Sequence, residues 1–107
     1  MSHAKPLSIR AVIFREHDRF VVQGIDYDIC ASAESLSRIM PLFMRRVAGN
    51  MAVNAEMGRT GLEGFKPAPE RFLAMFERAE VDMAPANRPS KRQAIPQTKF
   101  RYLENAA

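Results

Sequence analysis

Leu36, Met40, Phe43, Val47 and Met51 recur every three or four residues, which commits the middle of this chain to an amphipathic helix. Ile39 and Met44 flank the apolar stripe, and Arg38, Arg45, Gly49 and Glu56 fall on the opposite face. Ser32 is a suitable N-cap with Glu34 in the first turn, and Gly58 is a suitable stop after Met57. Pro41 lacks the N–H that would bond the Ser37 carbonyl, but it projects with Arg38 and Arg45 toward solvent. Water can serve the freed carbonyl, so a kinked helix is expected, with a shorter helix ending before Pro41 as the alternative.

A helix with one apolar face needs a surface to cover, and the preceding residues supply one. Leu7 to Glu16 is rich in β-branched residues and reads as a strand, but Val12, Ile13 and Phe14 are apolar on both parities. Such a strand is buried on both faces, or is covered on one of them by another subunit. His17, Asp18 and Arg19 form a polar break before a second strand-like run, Phe20 to Ile25, so the two make a hairpin. Gly24 ends that run or forms a bulge. Asp26 to Ala31 alternates polar and apolar residues and reads as a third strand. After the helix, Arg59 to Ala68 is a loop whose Leu62 and Phe65 tuck against the core. Pro69 opens a second helix that carries Phe72, Leu73, Met75, Phe76 and Ala79 and ends near Asp82. The expected class is α+β: a three-stranded antiparallel meander on a long helix, followed by a short one.

The chain of 107 residues holds one such domain, expected over residues 1–82. Residues 83–107 contain Pro85, Pro89 and Pro96 and few large apolar side chains, which reads as a basic, flexible tail. The net charge of +4 is concentrated there: residues 1–80 have 11 basic and 10 acidic side chains, and residues 81–107 have five and two. Phe100, Tyr102 and Leu103 form an apolar cluster near the end that is able to dock. One cysteine, Cys30, excludes an intrachain disulfide and fits a reducing compartment. Met1 to Arg10 holds no signal-peptide core and no run reaches membrane-spanning length, so a cytoplasmic location without a membrane partner is expected.

Little in the chain points to catalysis. His3 and His17, with one cysteine, make no metal-ligand spacing. Cys30 reads as a small buried strand residue. Asp26 and Asp28 share a parity and could be paired carboxylates, but the solvent face and turn chemistry of a short strand are the preferred explanation. Gly58, Gly61 and Gly64 do not follow a strand and precede no Lys-Ser or Lys-Thr pair, so they are no phosphate loop. No cofactor or metal is expected. Met40, Met44 and Met51 read first as core, with a plastic partner groove as the other reading.

The segments Ile9 to Glu16 and Phe20 to Ile29, together with Ser32 to Leu36 and Pro67 to Phe72, resemble the HicB-like antitoxin family. Val22-Gln23 and Tyr27-Asp28-Ile29 carry the likeness, Gly24 and Asp26 depart from it, and the resemblance spans Ser8 to Ala79. It implies a β-β-β-α core of partial ribonuclease-H-like form that dimerises. It also implies a non-enzymatic protein-binding role, in which such antitoxins block a small RNA-cleaving toxin. The last 27 residues are too few and too proline-broken for the C-terminal DNA-binding domain those antitoxins carry.

The first functional expectation is therefore a homo-oligomeric binding module that presents Val12, Phe14, Val22, Gln23 and Tyr27 to a second copy or a toxin. The second is a nucleic-acid-binding accessory protein that uses Arg88, Lys91, Arg92, Lys99 and Arg101 of the tail, with Phe100 and Tyr102 stacking on bases.

Overall fold

The computed structural model describes residues 7–84 and 97–104. Its strands are β1 (Ser8–Glu16), β2 (Arg19–Gly24), β3 (Cys30–Ala33), β4 (Val81–Met83) and β5 (Gln97–Leu103), with helices α1 (Leu36–Glu56) and α2 (Glu70–Arg78). The five strands form one mixed sheet in the order β3-β2-β1-β5-β4. The expected α+β class holds, but in place of a three-stranded meander and a tail there is a larger sheet. The expected domain boundary after residue 82 falls inside β4, and β5 lies parallel to β1 in the register Ala11 with Phe100 and Ile13 with Tyr102.

This topology explains the two-sided first strand. β1 has strands on both sides and apolar clusters on both faces. Ile9, Ala11 and Ile13 join Val22, Ala31, Phe43, Val47 and Phe100 in the cluster beneath α1. Val12 and Phe14 join Ile25, Phe76, Ala79 and Leu103 in a second cluster beneath α2. Phe43 and Phe100 meet edge to face with centroids 5.7 Å apart, and Phe14 stacks on Phe72 at 6.2 Å.

The β1–β2 hairpin closes through His17 and Asp18, and His17 takes a positive φ of 56°. After β2 the backbone folds back sharply, the Gly24 amide donating to the Ile29 carbonyl at 2.8 Å. A Cβ on Gly24 would lie 2.6 Å from the Tyr27 carbonyl oxygen, so only glycine fits this fold-back. Asp26 to Asp28 therefore form an excursion, and the third strand begins at Cys30 instead of Asp26. The later start carries the helix start with it. Ser32 pairs with Val21 inside the sheet, and Ser35 becomes the residue ahead of α1, without a side-chain cap bond.

α1 runs unbroken through the exposed Pro41, as its solvent-facing position allows. At its far end Gly58 takes a φ of 78°, which closes the helix where expected. Buried Asn54 donates to the carbonyls of Gly61 and Glu63, each at 3.0 Å, and so ties the loop to α1. That loop seats Leu62 in the core and Phe65 against it, as expected. α2 begins at Glu70, one residue after Pro69, and stops at Arg78 rather than near Asp82 because the next residues pair with β5.

Candidate functional site

Of the five residues expected at a partner interface, four are buried within the chain. Val12 and Val22 are fully buried, and Phe14 is buried against Phe72 of α2. Gln23 is buried, its Nε2 donating to the Gly24 carbonyl at 3.1 Å and to Asp28 Oδ1 at 2.8 Å. Tyr27 is half-buried beside the cluster beneath α1. The cover that the first strand was expected to take from a partner comes from α2 of the same chain.

The expected carboxylate pair is also divided. Asp28 takes the Gln23 amide, whereas Asp26 binds Arg10, with Nη2 to Oδ1 at 2.7 Å and the Arg10 backbone amide to Oδ2 at 2.8 Å. Partial burial raises the Asp26 carboxyl. The hydrogen bonds from Arg10, with its positive charge, outweigh that burial and leave Asp26 below the ordinary carboxylate range. Cys30, expected to be buried, is exposed. It alternates with buried Ala31 and Ala33, and so lies on the opposite face, which α2 covers over β1 and β5. Among the described residues no group of His, Cys, Asp and Glu has the makings of a metal site. None of their helices is long and apolar enough to cross a membrane.

Of the expected nucleic-acid residues, Arg88, Lys91 and Arg92 lie outside the described residues, as does His3. Lys99 is exposed on β5. Arg101 is occupied: its guanidinium lies 4.5 Å from the Phe76 ring centroid, donates to the Phe76 carbonyl at 3.3 Å and pairs with Asp82 at 3.4 Å. Arg10 flanks the same ring at 6.0 Å. The two arginines clasp α2 to the sheet. Phe100 is wholly buried, and Tyr102 is half-buried, 6.4 Å from the Phe20 ring.

The surface that remains open follows from where the helices lie. α1 covers β3 and β2 on one face, and α2 covers β1 and β5 on the other. They are offset diagonally. On the α1 side a row of incompletely buried apolar residues runs from the hairpin end of β2 to β4: Phe20, Tyr102, Met83 and Val81, the last 37% exposed. Arg15 borders the row, 5.8 Å from the Phe20 ring. The outer edge of β4 pairs with no strand among the described residues. A hollow of about 320 Å³ opens at one end of this edge, where Val81 and Tyr102 meet Arg78, Glu80 and Glu104. A second of about 550 Å³ opens at the other, beside Met83, Gln97 and Lys99. Sequence reasoning passed over this surface because β4 has three residues and β5 was read as tail. The alternation Thr98, Phe100, Tyr102 against Lys99, Arg101, Leu103 was the signal available.

No family model, no curated protein and no solved structure matches this chain.

Proposed function

We propose that the chain is a non-enzymatic protein-binding module that works as a homodimer, its partner chain adding along β4 and covering Phe20, Val81, Met83 and Tyr102. The observation that carries this reading is the diagonal offset of the helices, which leaves a partly exposed apolar row beside a strand edge that pairs with no strand among the described residues. Strand addition supplies main-chain hydrogen bonds along such an edge, and the apolar row supplies burial. Phe20, Tyr102 and Arg15 are the side-chain types that anchor protein interfaces. A small RNA-cleaving toxin as a further partner rests on the resemblance to HicB-like antitoxins carried by Val22-Gln23 and Tyr27-Asp28-Ile29.

Light scattering over a wide concentration range tests the reading. The wild-type chain is expected to reach the mass of a dimer. Val81→Glu, at an exposed position, is expected to stay monomeric with an unchanged thermal midpoint. A wild-type chain that remains monomeric throughout, or a Val81→Glu variant that dimerises as well as wild type, overturns it.

A further inference from the structure

Outside the apolar row, the outer face of α1 carries Arg38, Arg45 and Arg46 and no acidic side chain before Glu56. Where that face meets the β3–α1 junction, Arg38 and Arg45 line a concavity of about 570 Å³ together with Arg19, Glu34, Ser35 and Leu42. The guanidinium groups of Arg38 and Arg45 make no ion pair or hydrogen bond among the described residues. Arg19 reaches Glu34 at 3.6 Å, but the Glu34 side chain is 87% exposed, so water screens that pair. The groove therefore holds more positive charge than its own acid neutralises.

We propose that this groove binds the sugar-phosphate backbone of a nucleic acid strand. A guanidinium presents a planar fork of donors that matches phosphate oxygens two at a time. Arg38 and Arg45 stand seven residues apart on one face of α1, about 10.5 Å along the axis, so they meet different phosphates of one strand. Arg46 is exposed about 100° around the helix from Arg45, outside the groove. Leu42 is the one large apolar side chain lining it, and no aromatic ring does. A protein ligand would need an apolar or aromatic anchor there, whereas nucleic-acid interfaces are polar and strongly basic. With no ring to stack on bases, binding reads the backbone and is indifferent to sequence. None of the residues lining it belongs to β4 or to the expected basic tail.

Fluorescence anisotropy with a short labelled oligouridylate tests it on the full chain. Binding is expected at roughly 1–100 µM, weakening with salt at a log–log slope of about −2 for three neutralised phosphates. Arg38→Gln with Arg45→Gln should weaken binding by about tenfold and reduce the slope to about −0.7. Arg59→Gln with Lys66→Gln removes the same charge from exposed positions elsewhere and should leave binding near wild type. Both double variants are expected to keep the wild-type thermal midpoint. No binding at low salt, or equal loss in the two double variants, overturns the proposal. A polyglutamate peptide that displaces the probe as well as unlabelled RNA does also overturns it, in favour of an acidic protein ligand.

Discussion

Asp26 stands where the chain leaves β2, and it performs a task usually given to backbone. Its carboxylate accepts the Arg10 amide, just beyond the last bond of the hairpin ladder, and holds the Arg10 side chain as well. Its native carboxyl sits below the ordinary range, so its contribution to stability is complete above the unfolded value near ~3.9. That contribution is lost as pH falls through the lowered native value. Asp26→Asn should therefore unfold at lower urea than wild type at neutral pH, by roughly 1–3 kcal/mol. The gap should narrow steadily in acid below about pH 4. A gap independent of pH would show that charge at this position does not matter. Gly24, two residues earlier, has a steric reason, since any Cβ there meets the Tyr27 carbonyl.

Among the elements, α1 is the one whose phase follows directly from spacing. Ile39, Met40, Phe43 and Val47 are buried, and Arg38, Arg45 and Gly49 face solvent. Phe43 is fully buried and touches Phe100 across the helix–sheet interface. Phe43→Ala should cost about 3–5 kcal/mol in urea unfolding, with the larger values if the cavity stays open. Arg45→Ala should change stability by no more than about 0.5 kcal/mol. The reverse pattern would rotate the helix by half a turn and undo its packing. α2 depends on tertiary partners instead. It has nine residues, its Phe76 is clasped between Arg10 and Arg101, and it ends where β4 must begin.

For the whole molecule, β5 is decisive. It enters the sheet between β1 and β4, and its Phe100 and Leu103 complete the cores on opposite faces. A chain ending at Met83 would leave β1 as an open edge and remove the partner of β4. Marginal stability of about 5–15 kcal/mol for an ordinary domain does not survive losses on that scale. The truncated chain should show no cooperative thermal transition by circular dichroism. A native-like transition would reduce β5 to an appendage. The basic groove over α1 adjoins the apolar row at Phe20, whose chain neighbour Arg19 and ladder partner Ala33 line the groove.

The α+β class, the hairpin, the helix that starts after Pro69 and the long helix with its buried face were all legible in residue order. Each rests on neighbours within a few positions: period two, period near 3.6, a glycine stop and a proline start. The third strand was misplaced because Asp26 and Asp28 alternate with apolar residues, yet spend their carboxylates on Arg10 and Gln23. The candidate interface moved for a related reason. Spacing showed that Val12 and Phe14 needed cover, but whether α2 or another molecule supplied it is a matter of packing. The parallel pairing of Ile13 with Tyr102 joins residues almost a full chain length apart. Local pattern carries no register for such a pair. Only the assembled sheet decides that Arg101, read as a tail charge, is held between Phe76 and Asp82.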